Sequence, residues 1–443
     1  MKGSLFTDKT LLLGYFIIII LTGSLLLSLP ISWEGSEPLG YLDALFTATS
    51  AACVTGLITV DTASYSIFGQ TVILLLIQMG GLGILTFSTL FLLMPGNRFS
   101  FHNRKLIKEY YVESLEYEPA TILKKILLLT FSIEAIGMLL LFTQFRTLEK
   151  SFFSALFHAV SAFCNAGFST FSDSLEGWNR NPVVLSVIIG LIIAGGLSFT
   201  VITDTFARAV GRRRKISFHS KIVLIMTFSL ITLGTLFFFI LERNHAFQNM
   251  SAPQAALNSM FLSVTPRTAG FNTVSTAGLH LNSKTLVTLL MYIGGAPGST
   301  AGGIKVTTFF LIILIVLKGV DGKGEIRIAG KKIGAKTLSH ANMFMLKALF
   351  LVSAAIIALS ITEGTLVAGG KACYMDIIFE TVSAFGTVGL SLGITPLLSN
   401  AGKIVIICTM FAGRVGLVFM AIPFPGKRLD HLVDYPHGEV LIG

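Results

Sequence analysis

Gly56, Gly167, Gly270 and Gly389 each close a short stretch of one pattern: LDALFTATSAACVTGL (42–57), FSALFHAVSAFCNAGF (153–168), ALNSMFLSVTPRTAGF (256–271) and MDIIFETVSAFGTVGL (375–390). Glycine permits the backbone conformations that turn carbonyls inward. A ring of such carbonyls can replace the hydration shell of a dehydrated cation. One glycine behind an apolar segment would merely end a helix. Four in register, 111, 103 and 119 residues apart, argue instead for a device repeated by duplication. Bond-making chemistry finds no support, because the chain holds no H-E-x-x-H, G-x-S-x-G or comparable constellation. Cys53, Cys164, Cys373 and Cys408 stand apart, without the paired spacing of a zinc or redox site. The stretch GSTAGGIK (298–305) has only a superficial likeness to a phosphate loop, since Ile304 intervenes before Lys305.

The segments that hold these stretches are apolar. Of 443 residues, 53% are hydrophobic and 13% charged, which marks a polytopic membrane protein. An apolar run leads into each stretch, near 11–29, 122–142, 222–241 and 343–362, and another trails it, near 70–94, 183–206, 284–318 and 401–422. Between the two runs lies an amphipathic segment of about 11 residues, which reaches ~16 Å as a helix, half of a ~30 Å hydrocarbon core. It is predicted to dip in as a half-helix and return to the same side through the residues around the glycine. Irregular backbone at that depth is tolerated where it lines a watery cavity, so four such loops about one axis would make a pore. The expected fold class is therefore all-α and integral to the membrane, with eight full spans and potassium-channel-like pseudo-fourfold symmetry. Each repeat comprises a helix, a re-entrant half-helix with its filter loop, and a helix. The repeats cover 8–95, 121–206, 220–318 and 340–426, and a C-terminal tail follows at 427–443.

The net charge of +10 gathers in short connections: Arg98, Arg104, Lys105 and Lys108; Arg208, Arg212, Arg213, Arg214, Lys215 and Lys221; Lys318, Lys323, Arg327, Lys331, Lys332 and Lys336. The positive-inside rule puts these loops in the cytoplasm, together with Lys2, Lys9, Lys427 and Arg428 near the termini. Membrane topology thus explains the charge, and no nucleic-acid partner is expected.

The loops CVTGL, CNAGF, RTAGF and GTVGL, the insert GGAPGSTAGG (294–303) and the arginine of FAGRVGLVF, Arg414, together resemble the Ktr/Trk/HKT superfamily of potassium transporters over essentially the whole chain. The first run starts almost at Met1, which is most similar to the KtrB-type membrane subunits within it. The resemblance implies potassium held mainly by main-chain carbonyls of Val54, Thr55 and Gly56; Asn165, Ala166 and Gly167; Thr268, Ala269 and Gly270; Thr387, Val388 and Gly389. Gly56, where more sodium-permeable plant relatives carry serine, implies a preference for potassium. Four unlike loops suggest weaker selectivity than four identical ones. It also implies a permeation barrier of Arg414 with the third-repeat loop, Gly294, Gly295, Ala296, Pro297, Gly298, Ser299, Thr300, Ala301, Gly302 and Gly303, beside Lys305. A homodimer in a bacterial inner membrane is implied, with both termini cytoplasmic, in contact with membrane lipid. Its implied partner is a cytoplasmic ring of RCK-type, KtrA-like regulatory subunits that respond to ATP and ADP. This chain itself needs no cofactor: potassium is its substrate, and sodium dependence stays open.

Several residues invite reading on their own. The trailing run 284–318 would be ~52 Å long if wholly helical, and removing ten residues as a loop restores a sensible span. No comparable insert interrupts the other trailing runs, so this loop is expected to lie across the cavity below the filter. Arg414 stands 13 residues before Lys427, ~20 Å at helical rise and too far to snorkel out, which favours a cavity-facing guanidinium. Arg267 and Glu380 lie where bare charge is costly and are expected to pair behind the filter and brace it. Asp43, Asp61, Asp173 and Asp376 could gather cations at the mouth or serve as ordinary caps. The rival reading is an ion-coupled secondary transporter of another substrate, which predicts inverted repeats and acidic groups within the membrane.

Overall fold

The computed structural model describes residues 8–93, 119–211 and 215–416. The expected basic residues Lys2, Arg98, Arg104, Lys105, Lys108, Arg212, Arg213, Arg214, Lys427 and Arg428, the far end of the last trailing run and the tail at 427–443 lie outside the described residues.

A long helix, a short helix and a further helix recur four times along the chain. They are α1 (Asp8–Leu27), α2 (Tyr41–Ala52) and α3 (Ile67–Leu93); then α4 (Pro119–Gln144), α5 (Ser151–Phe163) and α6 (Pro182–Gly196), with α7 (Phe199–Ala209) appended. The third set is α8 (Phe218–Glu242), α9 (Ala252–Val264), α10 (Leu281–Met291) and α11 (Val306–Lys318). The fourth is α12 (Ala335–Thr362), followed by a short helical turn α13 (Gly364–Ala368), α14 (Tyr374–Gly386) and α15 (Asn400–Phe411). Among the described residues Leu123–Gln144, Phe218–Glu242 and Ala335–Thr362 are each long and apolar enough to cross a membrane. Their outer faces carry large apolar side chains such as Phe228 and Phe350, 73% and 78% exposed, which only lipid would solvate without cost. This is a multi-pass helical membrane protein.

The short helices α2, α5, α9 and α14 have 12 or 13 residues each, about 18–20 Å. Their C-terminal halves are almost wholly buried, as in Phe46 to Ala52 of α2 and Phe379 to Gly386 of α14. Their small residues, Ala and Ser above all, let neighbouring backbones approach closely where lipid supplies no hydrophobic drive. The core of the molecule therefore sits on the short helices, and the long ones wrap them.

Long and trailing helices are tied by one recurring contact. In three repeats a side chain at the C-terminal end of the leading helix meets the residue capping the helix after the short one. Gln144 Oε1 accepts from Asn181 Nδ2 at 3.1 Å, Glu242 Oε1 from the His280 amide at 2.9 Å, and Glu363 Oε1 from Ser399 Oγ at 2.6 Å. Asn181 also accepts from the amides of Val183 and Val184 at 3.0 and 3.1 Å, satisfying two donors that open α6. Asn181→Ala is expected to cost about 1 kcal/mol of stability, read as a lower unfolding temperature in detergent.

Two expectations change. The trailing run 183–206 is not one straight span: it breaks at Leu197 and Ser198, and α6 and α7 lie at 109° to each other. Ser198 Oγ caps the new helix by accepting from the Val201 amide at 3.3 Å, while the carbonyls freed at the end of α6 find donors elsewhere, as described below. The chain is also not helical throughout. Strands β1 (Ile326–Ile328) and β2 (Lys331–Ile333) form an antiparallel hairpin between α11 and α12. Ala329 and Gly330, at φ 49° and 74°, supply the two left-handed residues of a tight hairpin turn. Ile326 and Ile333 then pack on Leu314 and Leu338.

Candidate ion-filter site

Each short helix runs, within a few residues, into one of the glycine triplets. The backbone alternates there in the same way four times. Val54, Asn165, Thr268 and Thr387 have φ of 57°, 59°, 75° and 49°, and Gly56, Gly167, Gly270 and Gly389 have 94°, 71°, 79° and 93°. The middle residues Thr55, Ala166, Ala269 and Val388 stay at negative φ. Such alternation turns successive carbonyls to one side of the chain. Three of the first positions are β-branched, for which a left-handed conformation is an outlier costing about 1–3 kcal/mol each. Strain of that size persists only where surrounding contacts impose it.

Those contacts are visible. The Gly56 amide donates to Ser50 Oγ at 3.0 Å and the Gly389 amide to Ser383 Oγ at 3.2 Å. Ser161 Oγ donates to the Phe168 carbonyl, and Thr265 Oγ1 to that of Phe271, both at 2.7 Å. A hydroxyl at the C-terminal end of each short helix thus pins the segment that follows it.

The four segments close a ring. A side chain on Gly56 would strike the Ala166 carbonyl oxygen, one on Gly270 that of Val388, and one on Gly389 that of Thr55. A Cβ on Gly167 would lie 2.7 Å from the Ala269 oxygen and 2.9 Å from Gly270 Cα, too close to stand. Each glycine therefore faces the next segment's carbonyl in chain order, and the fourth faces the first. Thr55, Thr268 and Thr387 add buried hydroxyl oxygens with no hydrogen-bond partner among the described residues. Asn165 turns its amide aside: with its nitrogen facing acceptors it donates to the Ile192 and Ala162 carbonyls, at 3.2 Å each.

Beneath the ring, α10 and α11 are separated by the expected loop, in which Gly294, Gly295, Ala296, Thr300, Ala301, Gly302 and Gly303 are buried and Pro297, Gly298 and Ser299 half-buried. The Ala296 amide donates to the Gly196 carbonyl at 2.9 Å, and Thr300 Oγ1 to those of Gly195 and Phe163 at 2.9 and 3.2 Å. The carbonyls released by the break after α6 are thus satisfied by the loop of the next repeat, so the two interruptions are one construction. On the other side Gly302 abuts Thr387. Lys305 Nζ donates to the Ala301 carbonyl. Arg414 lies in a π-helical turn, Ala412–Gly416, and its guanidinium donates to the Thr300 carbonyl and, at 2.9 Å, to that of Gly80 on α3.

Arg267 and Glu380 do not meet. Glu380 is fully buried and accepts from Ser391 Oγ at 2.8 Å and from Thr395 Oγ1, so hydroxyls of its own repeat solvate the carboxylate and brace the strand after Gly389. Arg267 Nε is buried without a hydrogen-bond partner among the described residues. The aspartates act as ties and caps: Asp43 pairs with Lys403 at 2.6 Å, joining α2 to α15, while Asp61, Asp173 and Asp376 accept from nearby amides. Partial burial, and then the neighbouring Asp173, raise the Glu176 carboxyl above its usual range.

Residues 7–427 match the TrkH family, described as cation transport protein. The chain belongs to this family. Among its relatives are the Ktr system potassium uptake protein B of Bacillus subtilis, 39% identical over 98% of this chain and 96% of that one, and the potassium/sodium uptake protein NtpJ of Enterococcus hirae, 38% identical over 97% and 96%. The crystal structure of the potassium transporter TrkH from Vibrio parahaemolyticus shares the fold, with a TM-score of 0.73 over 95% of this chain and 86% of that one at 19% identity. In this TrkH-family chain three further glycines matter that the repeats alone did not single out. Gly80, Gly195 and Gly413 of the trailing segments receive the carbonyls of Ala52, Phe163 and Phe385, each two residues before a triplet, where any side chain would collide. The dipeptides Gly80-Gly81, Gly195-Gly196 and Ala412-Gly413, some 24–28 residues after Gly56, Gly167 and Gly389, were the available signal.

Proposed function

We propose that this chain is the membrane-embedded, ion-translocating subunit of a Ktr-type potassium uptake system. One observation carries the reading: four glycine segments close a ring in which each meets the next segment's carbonyl. Alternating φ aims those carbonyls to one side, and the unpartnered hydroxyls of Thr55, Thr268 and Thr387 add oxygens that a dehydrated cation could satisfy. The short helices end at the ring, and the partial negative charge of their C-termini favours a cation there. In this reading eight spans surround one pseudo-fourfold pore, potassium binds at the triplets 54–56, 165–167, 268–270 and 387–389, and the loop 294–303 with Lys305 and Arg414 is the gate.

Uptake needs no hydrolysis by this subunit, because ~150 mV supplies ~3.5 kcal/mol per charge, a gradient of roughly 300-fold. The relatives' names support potassium as substrate, and the potassium/sodium uptake relative keeps sodium in view as co-substrate. A homodimer in the inner membrane, with cytoplasmic termini and an RCK-type ring carrying ATP or ADP, completes the proposal. Expression in cells lacking their own potassium uptake is expected to restore growth at low potassium and rubidium uptake. Failure of both, with the chain present in the membrane, would sink it.

A further inference from the structure

Glu134 stands in α4 ten residues before Gln144, at the level of the second filter segment, and is 4% exposed. Its neighbours come from α3 and from the residue that ends α5. Oε2 accepts from Gln78 Nε2 of α3 at 3.3 Å; Oε1 lies 4.0 Å from Cys164 Sγ; and the same sulfur lies 3.4 Å from Gln78 Oε1. Cys164 directly precedes the triplet Asn165, Ala166 and Gly167. It is also held from the α3 side, where a Cβ on Gly81 would sit 2.7 Å from its sulfur. Two residues beyond Gln78, the Gly80 carbonyl accepts from Arg414. Among the described residues no lysine, arginine or histidine comes within ion-pair distance of Glu134.

A buried carboxylate in a span, bonded only to an amide and a thiol, stays ionised only where a counter-charge stands nearby and otherwise takes up a proton. A cation in the adjacent filter segment supplies that counter-charge. We propose that Glu134 is a positioning and affinity-determining residue of the second segment: through Gln78 and Cys164 it fixes the backbone ahead of Asn165, and its counter-ion is the permeating cation held there. This rests on the potassium-pore reading above. It also accounts for an acid in a span otherwise poor in charge, where a purely structural role would be served as well by glutamine.

The test uses the full chain in potassium-uptake-deficient cells, with rubidium and potassium uptake followed against cation concentration and the membrane content of the chain measured in parallel. Glu134→Gln, nearly isosteric, is expected to raise the half-saturating potassium concentration about tenfold, equivalent to about 1.4 kcal/mol, with maximal rate within twofold. Returning the carboxylate to the other partner, Gln78→Glu with Glu134→Gln, is expected to recover most of the affinity. Unchanged affinity in Glu134→Gln, or no recovery in the double variant, overturns the proposal. Should Glu134→Gln fail to accumulate, Glu134→Asp is expected to keep near-wild-type affinity and Cys164→Ala to lose threefold or more; the reverse order overturns it. A wild-type chain that moves no potassium would sink the parent reading, whereas normal wild-type uptake with an indifferent Glu134→Gln sinks this inference alone.

Discussion

Replacing Gly389 with alanine is expected to lower potassium uptake ~30-fold or more, while Gly370→Ala leaves it near wild type. The pair separates two effects that a single glycine substitution confounds. Both residues have positive φ, 93° and 67°, so a methyl group at either costs backbone strain. At Gly370 nothing lies within 4 Å of the added carbon, and the cost is local. At Gly389 the methyl would press on the Thr55 carbonyl oxygen and lie 2.9 Å from Gly56 Cα, so relief requires the carbonyl of Thr55 to turn away. Overpacking of this kind typically costs 1–3 kcal/mol on top of strain, and each 1.36 kcal/mol in a barrier is tenfold in rate. Because the ring is closed, displacement at the fourth segment is felt at the first. Rubidium uptake with matched membrane content checks the result. Equal uptake by the two variants would mean that Gly389 does not face the ion path.

The repeated pattern was legible because membrane depth leaves few options. A segment of half-span length flanked by two apolar runs is expected to re-enter, with the glycine that ends it in irregular backbone. The leading runs accordingly fall on α1, α4, α8 and α12, and the insert at 294–303 falls between α10 and α11. What sequence could not give is which polar groups satisfy which. Charge complementarity suggested that Arg267 and Glu380 would pair, yet Ser391 and Thr395, eleven and fifteen residues along the same repeat, solvate the carboxylate first. Periodicity likewise read 183–206 as one span, because Gly195, Gly196 and Ser198 are individually tolerable in a helix. The break there is paid for by donors from another repeat, the amides of Ala296 and Thr300. Nothing local to the break announces them. Glu134 was overlooked for a similar reason: a lone acid in an apolar run acquires meaning only once Gln78 and Cys164 are brought beside it.

The loop and Arg414 give the second large effect: Arg414→Ala is expected to raise potassium flux about tenfold, and deletion of residues 296–302 to give a leak that no longer responds to regulation. Arg414 joins two parts that could otherwise separate, donating to Thr300 in the loop and to Gly80 on α3. Hydrogen bonds from a charged donor contribute roughly 1.5–3 kcal/mol each, so losing both frees one side of the loop. The other side remains held by Thr300 Oγ1 on the Gly195 and Phe163 carbonyls and by the Ala296 amide on Gly196. The point substitution should therefore loosen the barrier and remove its positive charge, whereas the deletion removes Thr300 and with it both anchors. Arg414→Lys is expected to fall between, since an ammonium keeps the charge but lacks the planar fork that reaches two carbonyls at once. Flux in liposomes containing the reconstituted chain orders the four proteins. A deletion variant as tightly closed as wild type, or an Arg414→Ala variant with reduced flux at normal content, would show that the loop supports the filter without gating it.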